Sequence, residues 1–259
     1  MELLVVGAGE MGRWVADTLT ADASPADATV TFADRDREVA LDAARSRHAD
    51  VVAPDTDATF DAVCLAIPMS AVPAAAADYA DNATSAIFDV SGEMTEAVAA
   101  LREHAPDCER ASYHPLFAPP RVPGNVAAVV DADGPVISAV SGAIEAGGND
   151  VFETTPAEHD EAMETVQAGA HAAVLAWRLA GDDVREEFHT PVSAAIDEVA
   201  DTVTEGSPEV YAEIQRAFGG ADAVADSARE IADADSEAFT ALYETARERG
   251  AGEQRERHE

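Results

Sequence analysis

The sequence predicts an α/β domain with a doubly wound, mainly parallel β-sheet, followed by an all-α domain. Up to about residue 155, short apolar runs alternate with helical segments, which is the pattern of βαβ units. Beyond that point the short apolar runs stop and only long helical segments follow. We therefore divide the 259 residues into a first domain over 1–155, a helical domain over 156–250 and a polar, disordered tail over 251–259.

The first domain begins with a strand, a glycine-rich turn and a helix in direct succession. The apolar run Glu2–Val6 leads into a G-x-G-x-x-G motif, and a helical pattern starts at Arg13. In such a motif the first glycine forms the tight turn, the second lets the backbone approach a pyrophosphate, and the third lets helix and strand pack closely. The free N–H groups at the start of the helix also attract phosphate. We predict a Rossmann-type dinucleotide-binding turn formed by Gly7, Ala8, Gly9, Glu10, Met11 and Gly12.

The second predicted strand ends in an acidic residue. The run Ala28–Ala33 reads as the strand, and Asp34 follows it directly. A carboxylate at this place accepts hydrogen bonds from ribose hydroxyls and repels a 2′-phosphate, which favours NAD. Arg35 and Arg37 lie next to it and could instead receive the phosphate of NADP. We predict Asp34 and Arg35 as cofactor-binding residues, with NAD as the cofactor and NADP as the alternative.

The remaining elements of the first domain follow the same alternation. Short apolar runs predict strands at Asp50–Val52, Asp61–Ile67, Ser85–Val90, Arg110–Tyr113, Val126–Val130 and Val151–Glu153. The segments between them predict helices at Arg35–Arg45, Ser70–Tyr79, Glu93–His104 and Pro135–Gly147. A proline-rich stretch, Pro115–Pro123, interrupts the alternation and predicts a loop.

Two of these strands end in residues that we expect to face the cofactor. Ligands of open α/β sheets bind at the carboxyl ends of the strands. Ile67 and Pro68 follow the fourth strand and would line the ribose or nicotinamide side. Ser91 follows the next strand as part of Asp89-Val90-Ser91-Gly92 and is predicted to lie at the catalytic site. Its alternative interpretation is an N-cap for the helix that begins near Glu93.

The helical domain is rich in alanine and small residues. Its predicted helices are Ala157–Ala180, Val184–Glu205 with a break at Thr190-Pro191, Pro208–Phe218 and Ala221–Arg249. The first of them has apolar residues on more than one side, which indicates burial on several faces. A domain that packs around a second subunit would account for this pattern.

The charge balance is strongly acidic. The chain has 51 acidic and 16 basic residues, a formal net charge of -35, and no lysine. Such a surface repels nucleic acid and anionic membranes, so we expect neither as a partner. The acidic residues are spread along the chain rather than collected in a tail, which is typical of a protein adapted to high salt, where self-repulsion is screened.

The cysteines and histidines exclude two other classes of site. Cys64 and Cys108 form no CxxC motif and no disulfide framework, and no signal peptide or membrane-spanning run is recognisable, so we expect a cytoplasmic protein. None of the seven histidines has cysteines or carboxylates at metal-ligand spacing, so we predict no metal.

Motifs in both domains resemble those of the prephenate dehydrogenase family. The segment from Ser112 to Pro120 contains His114-Pro115-Leu116, which is similar to the family's segment around its catalytic histidine. Glu158–Met163, followed by Gln167 and His171, looks like the family's entry into its helical domain, and Pro208–Ile214 resembles another of its helix starts. Together with the glycine motif, the resemblance extends over most of residues 1 to about 220.

The resemblance implies oxidative decarboxylation of prephenate to 4-hydroxyphenylpyruvate, with reduction of NAD by a homodimer that associates through the helical domain. His114 would accept the hydroxyl proton as the hydride leaves, since a histidine suits that task near neutral pH. The alternative interpretation is that His114 has no catalytic role and only forms a hydrogen bond to a loop. His171 and Gln167 would contact the substrate, with a buried interface histidine as the equal alternative for His171. For His159-Asp160, at a helix start, we expect a structural role.

The sequence departs from the family pattern at two places. The family's lysine after its Asp…Ser element is absent, and Gly92-Glu93-Met94 stands there. The place of the family's carboxylate-binding arginine falls on Gly219-Gly220. Prephenate is a dianion that needs a cation, so we predict that Arg216 or Arg121 supplies it.

Other functions stay open at this point. Arogenate, with an amine in place of the keto group, is an alternative substrate. A hydroxyacid dehydrogenase or a pyrroline-5-carboxylate reductase type is a second enzyme reading, although such enzymes usually use a lysine or another helix motif. A nucleotide-sensing regulatory module would need the glycine motif but neither His114 nor the helical domain.

Overall fold

The computed structural model describes residues 1–118, 121–182 and 184–256. The chain divides into two compact units, Met1–Ala162 and Met163–Glu259. Unit 1 contains every strand that the structure describes, and unit 2 consists of helices and their connections. We predicted a domain boundary after residue 155, just before the helix α6 (Pro156–Met163). The two units instead divide after Ala162, near the end of this helix.

Unit 1 is built on an eight-stranded sheet. The strands are β1 (Glu2–Val6), β2 (Thr29–Ala33), β3 (Asp50–Val52), β4 (Phe60–Leu65), β5 (Ala83–Asp89), β6 (Glu109–Pro115), β7 (Asn125–Ala132) and β8 (Asp150–Glu153). Their order is β3-β2-β1-β4-β5-β6-β7-β8, and all neighbouring strands are parallel except β6 and β7. The first six strands therefore have the doubly wound order, with its topological switch point between β1 and β4. The predicted mainly parallel sheet is confirmed.

Helices cover both faces of this sheet. They are α1 (Glu10–Leu19), α2 (Arg37–Arg45), α3 (Val72–Tyr79), α4 (Thr95–His104) and α5 (Pro135–Ala146). Leu3 and Val5 of β1 join a buried cluster with α1, α2 and α5, whereas Leu4 and Val6 join one with α3 and α4. Because successive strand residues point to opposite faces, a stretch of strand that is buried on both sides is apolar at every position, as β1 is from Leu3 to Val6.

Strand β6 is longer than the sequence predicted. We expected a loop from Pro115 onward, but the strand includes this proline and pairs with the antiparallel β7. Leu116 N–H donates to Asn125 O at 2.9 Å. Hydrogen-bonded pairs alternate in an antiparallel ladder, so the pair of Pro115 with Val126 needs no N–H from the proline. The other part of the predicted loop, residues 119 and 120, lies outside the described residues.

The first long helix of our prediction, Ala157–Ala180, is helical at every residue, but it is not a regular α-helix throughout. After α6 the chain forms a wider π-helical turn over Glu164–Gly169 before α7 (Ala170–Ala180) begins. The turn meets the start of another helix of unit 2, where a Cβ on Gly220 would lie 1.8 Å from Glu164 O. This close backbone approach, which only a glycine permits, accompanies the local widening of the helix.

The remaining helices of unit 2 are α8 (Pro191–Thr204), α9 (Pro208–Ala217), α10 (Gly220–Asp233) and α11 (Ser236–Glu256). The predicted helix Ala221–Arg249 is thus two helices, because Asp235 caps α11 by accepting hydrogen bonds from the N–H groups of Glu237 and Ala238. The described chain is helical through Glu256, where we predicted a disordered tail, and Gln, Arg and Glu are strong helix formers. Residues 257–259 lie outside the described residues. No helix in the described ranges is long and apolar enough to cross a membrane.

Candidate active site

The glycine turn after β1 has the geometry of a phosphate-binding loop. Gly7 has a φ of +97°, and a Cβ there would lie 2.2 Å from Ala66 O. A Cβ on Gly12 would lie 1.9 Å from Gly7 O, so this glycine lets α1 start directly against the turn. At Gly9, which is the N-cap of α1, no atom lies within 4 Å of the Cβ position. The turn thus offers open space at the free N–H groups of a helix start.

Asp34 joins the end of β2 to this turn. Its Oδ2 accepts a hydrogen bond from Ala8 N–H at 2.8 Å, and its Oδ1 accepts one from Asp36 N–H at 2.8 Å. Arg35 and Arg37, which follow Asp34 in the sequence, are exposed. Each carboxylate oxygen can accept more than one hydrogen bond, so Asp34 has acceptor capacity for a sugar hydroxyl.

The segment after β4 continues the same edge of the sheet. Ala66 N–H donates to Val6 O at 2.8 Å, and Ile67 Cγ2 lies 3.0 Å from the Cβ position of Gly7. Pro68 is exposed, and Cε of Met69 lies 3.1 Å from the Cβ position of Gly92. These residues therefore connect the glycine turn to the segment after β5. Glu10 and Met11, in the first turn of α1, have exposed and half-buried side chains.

His114 lies at the carboxyl end of β6, inside the strand, whereas our predicted strand ended at Tyr113. Ser112 pairs with Asp89, the last residue of β5, so β6 continues three residues past β5, from Tyr113 to Pro115. His114 pairs on its other side with Ala127 of β7. Its imidazole is buried, and Nε2 lies 3.5 Å from the Cβ position of Gly92. The extension of β6 thus carries the histidine over the segment that follows β5.

Asp89 and Ser91 form a buried pair below this segment. Ser91 donates to Asp89 Oδ2 from its hydroxyl at 2.5 Å and from its backbone N–H at 2.9 Å. Burial raises the pKa of Asp89 to about 6, although the hydrogen bonds from Ser91 act in the opposite direction. Our alternative interpretation of Ser91 as an N-cap is wrong. Helix α4 begins only at Thr95, and the hydroxyl of Ser91 donates to Asp89.

A second histidine contacts His114 from α6. His159 Nε2 lies 2.9 Å from His114 Nδ1, and His159 Nδ1 lies 2.8 Å from Asp160 Oδ1. Asp160 accepts hydrogen bonds from the N–H groups of Met94 and Thr95 at the start of α4. We expected Asp160 to act at the start of its own helix; instead it caps α4, because the chain brings the two helix starts together.

The buried environment keeps His114 neutral. Burial, together with the neighbouring His159, lowers the pKa of His114 to about 3. Burial alone would raise the pKa of Asp160, but hydrogen bonds from His159, Thr95 and Met94 outweigh that effect and lower it to about 2. At neutral pH the site therefore holds an uncharged imidazole and an ionised carboxylate.

The other predicted site residues lie elsewhere. Arg121 is exposed in unit 1, close to the residues outside the description. In unit 2, His171 packs edge-on against Tyr211 with ring centroids 4.7 Å apart, and burial lowers the pKa of His171. Gln167 lies in the π-helical turn and Arg216 is exposed on α9. The structure thus gathers the residues of the glycine turn, Asp34, Ile67, Ser91 and His114 along one edge of the sheet.

Three residues at this edge were absent from our prediction of the site. Asp89 had a signal in the sequence, because an acidic residue directly follows the apolar run Ala86–Phe88. His159 and Asp160 had none, since their contacts with His114 and Thr95 span 45 and 65 positions of the sequence.

A dinucleotide-binding turn and a buried histidine at one edge of a doubly wound sheet define a dinucleotide-dependent dehydrogenase. A 4-amino-4-deoxyprephenate dehydrogenase of Streptomyces pristinaespiralis is 30% identical over 265 residues, which cover 93% of this chain and 88% of that protein. The chain belongs to the prephenate and arogenate dehydrogenase family, which confirms the resemblance seen in the sequence.

Solved structures share the fold. Prephenate dehydrogenase from Aquifex aeolicus, in complex with hydroxyphenyl propionate and NAD+, matches with a TM-score of 0.69 and 15% identity, over 97% of this chain and 98% of that chain. Arogenate dehydrogenase from Synechocystis matches with a TM-score of 0.63 and 15% identity, over 98% of this chain and 99% of that chain. No protein-family model matches the chain.

Proposed function

We propose that the protein catalyses the NAD-dependent oxidative decarboxylation of prephenate to 4-hydroxyphenylpyruvate. The observation that carries this proposal is the position of His114, a buried and uncharged imidazole beyond the end of β5 on the edge that holds the glycine turn. Membership of the prephenate and arogenate dehydrogenase family supports the same reaction.

The residues of the turn fit a dinucleotide. Gly9 leaves open space at the start of α1, and Gly7 and Gly12 adopt a turn that side chains would prevent. The N–H groups of Glu10 and Met11 would bind the diphosphate, and Asp34 would accept a ribose hydroxyl. When bound, NAD supplies the hydride acceptor. We favour NAD over NADP because the Asp34 carboxylate would repel a 2′-phosphate; Arg35 is the residue that would favour NADP.

His114 would handle the proton of the substrate. The hydride leaves the ring carbon that carries the hydroxyl, and Nε2 of His114 accepts the proton of that hydroxyl at the same time. The bond from the ring to the carboxylate breaks, CO₂ leaves, and its electron pair makes the ring aromatic. The proton then returns from His114 to the phenolic oxygen, so the enzyme is regenerated. We place Ser91 beside this reaction because it lies two residues beyond the end of β5.

Turnover with purified protein tests the proposal. In molar salt, with NAD and prephenate, we expect NADH to form and 4-hydroxyphenylpyruvate to accumulate. His114→Gln, which keeps a buried polar side chain, is the matched control and should lose turnover. Tight NAD binding without turnover of prephenate, arogenate or 4-amino-4-deoxyprephenate would overturn the proposal and favour a nucleotide sensor.

A second candidate substrate is 4-amino-4-deoxyprephenate, which the name of the Streptomyces pristinaespiralis relative specifies for that protein. Its ring amine takes the place of the hydroxyl, and an uncharged His114 could accept a hydrogen bond from either group. The comparison of kcat/KM for the two substrates decides between them. If kcat/KM is higher for 4-amino-4-deoxyprephenate, this compound replaces prephenate as the proposed substrate.

Binding of the substrate carboxylates needs a cation. We propose Arg216 or Arg121 for this role, because both are exposed and Arg216 lies on the helix whose sequence resembles the family's. His171 and Gln167 are the further proposed contacts. Replacing either arginine with alanine should raise the KM for prephenate, whereas Arg229→Ala, on α10 and paired with Asp226 at 2.7 Å, should leave it unchanged. If KM for prephenate is unchanged in both the Arg216 and the Arg121 variant, neither arginine binds the substrate carboxylates.

We propose that unit 2 associates with a second copy of the chain. Large apolar side chains are exposed on this unit, with Leu179 exposed by 85%, Val192 by 70% and Phe188 by 67%. Light scattering should give a dimeric mass for the wild type and a monomeric mass for Leu179→Asp. Val122→Asp, at an exposed valine of unit 1, is the control. A dimeric Leu179→Asp variant would exclude this face as the interface.

The net charge of -35 supports adaptation to high salt. Repulsion among exposed carboxylates weakens as the Debye length falls to about 3 Å at molar salt. We therefore expect the melting temperature to rise between low and molar salt. An unchanged melting temperature would contradict this adaptation.

A further inference from the structure

We propose that His159 and Asp160 are positioning residues, which hold His114 in the tautomer with its proton on Nδ1 and its lone pair on Nε2. The inference rests on the proposed function for its catalytic meaning, because it concerns the base of that reaction. It adds two residues to the site that neither the sequence motifs nor the comparisons assign to this task.

The three side chains His114, His159 and Asp160 form a hydrogen-bonded row, and the Asp160 carboxylate at its end determines which atom donates in each bond. An ionised carboxylate has no proton to donate, so His159 Nδ1 donates to Asp160 Oδ1 across 2.8 Å. When His159 carries a single ring proton, on Nδ1, its lone pair lies on Nε2. His114 Nδ1, 2.9 Å away, must be the donor to that lone pair. The remaining nitrogen of His114, Nε2, is therefore the one that accepts a proton.

The carboxylate that sets this direction is itself fixed. Asp160 Oδ1 accepts from Met94 N–H at 3.1 Å, and Oδ2 accepts from Thr95 N–H at 3.0 Å, both at the start of α4. The positive end of the helix dipole favours the negative charge at this place. The side chain of Asp160 is 19% exposed, and each of its two oxygens accepts one of these backbone hydrogen bonds.

The opposite tautomers are excluded by burial. With the proton of His114 on Nε2, two lone pairs would face each other across the 2.9 Å contact between the rings. Reversing His159 as well would direct its Nδ1 lone pair at the Asp160 carboxylate. The His159 side chain is 1% exposed, so water does not compete for these contacts.

Replacement of His159 by glutamine or leucine tests the role. Glutamine places an amide oxygen near the position of Nε2 and can accept the proton of His114 Nδ1, whereas leucine fills space without an acceptor. We expect kcat of His159→Leu to fall by about 10²-fold or more, within the range of a general base, with little change in KM or in the Kd for NAD. His159→Gln should recover at least about tenfold of this loss in kcat.

The tautomer can be observed without substrate. In ¹⁵N-histidine-labelled protein at pH 8, with His114→Gln used for assignment, the wild type and His159→Gln should show a protonated Nδ1 and an unprotonated Nε2 for His114. In His159→Leu the ring should change to the other tautomer or to a mixture. If His159→Leu does not fold, Asp160→Asn provides the second variant. The asparagine amide can turn an N–H toward His159, which would reverse the donor and acceptor roles in both hydrogen bonds.

The outcomes separate this inference from the proposed function. A proton on Nε2 of wild-type His114, or a folded His159→Leu variant with wild-type kcat, would overturn the positioning role. If the tautomer is as stated but no candidate substrate is turned over, the proposed function fails and the positioning of His114 stands.

Discussion

Replacing Gly7 and Gly9 with alanine, one at a time, should separate folding from cofactor binding. At Gly7 the φ of +97° is strained for alanine by about 1–2 kcal/mol. The new methyl group would also lie 2.2 Å from Ala66 O, a backbone atom that cannot move freely, and such overpacking costs about 1–3 kcal/mol. The sum of roughly 2–5 kcal/mol corresponds to a loss of roughly 5–20 °C in melting temperature for a chain of this size.

Gly9 should behave in the opposite way. Its φ of -70° suits any residue, and no atom lies within 4 Å of its Cβ position. We expect the melting temperature without cofactor to change by no more than about 2 °C. A methyl group at this place would occupy the space through which a diphosphate passes, so the Kd for NAD should rise about tenfold or more, or about 1.4 kcal/mol.

Thermal unfolding with and without NAD, and calorimetric titration in molar salt, measure both effects. An unchanged NAD affinity in Gly9→Ala would show that the dinucleotide does not pass over this turn. A Gly7→Ala variant as stable as the wild type would refute the geometry that we derive for the turn.

Three further predictions concern the same edge of the sheet. His114→Gln should lower kcat by about 10²–10⁴-fold while the Kd for NAD, measured by fluorescence titration, stays the same. Asp34→Ser, which keeps an acceptor for Ala8 N–H, should raise the ratio of kcat/KM for NADP to that for NAD by about tenfold or more. Burial raises the pKa of Asp89 from its ordinary 3.8 to about 6, so its contribution to stability is present below pH 3.8 and is lost as pH rises to 6. Between pH 4 and 7, the free energy of unfolding of Asp89→Asn, measured by chemical denaturation, should therefore rise by about 3 kcal/mol relative to that of the wild type. If the free energy of unfolding depends on pH equally in both proteins, the shifted pKa of Asp89 is contradicted.

The sequence predicts the fold and the cofactor side of the site because their determinants are local. The strand, turn and helix around Gly7 and Gly12 form one continuous segment, and Asp34 follows the next strand directly. Apolar runs of strand length between helical segments predict the parallel order without any knowledge of contacts.

The substrate side depends on contacts that no local pattern encodes. His159 meets His114 across 45 positions, and the π-helical turn that interrupts the predicted long helix accompanies a backbone contact between Glu164 and Gly220. The extension of β6 through Pro115 was also unpredictable, because it requires the antiparallel partner β7. Proline alone indicates a break, and only the register of the ladder shows that no N–H is needed there.

The antiparallel strand β7 restricts how the base can move. Beyond the end of β5, β6, β7 and β8 form a three-stranded ribbon, in which the β6–β7 ladder continues past His114 to the pair of Leu116 and Asn125. A histidine on a flexible loop could approach its substrate by a change of backbone conformation. Here the imidazole is attached to a hydrogen-bonded ribbon, whose amide hydrogens we expect to exchange slowly with solvent. His114 is therefore a fixed reference point, and we expect any movement that closes the site to come from other parts of the protein.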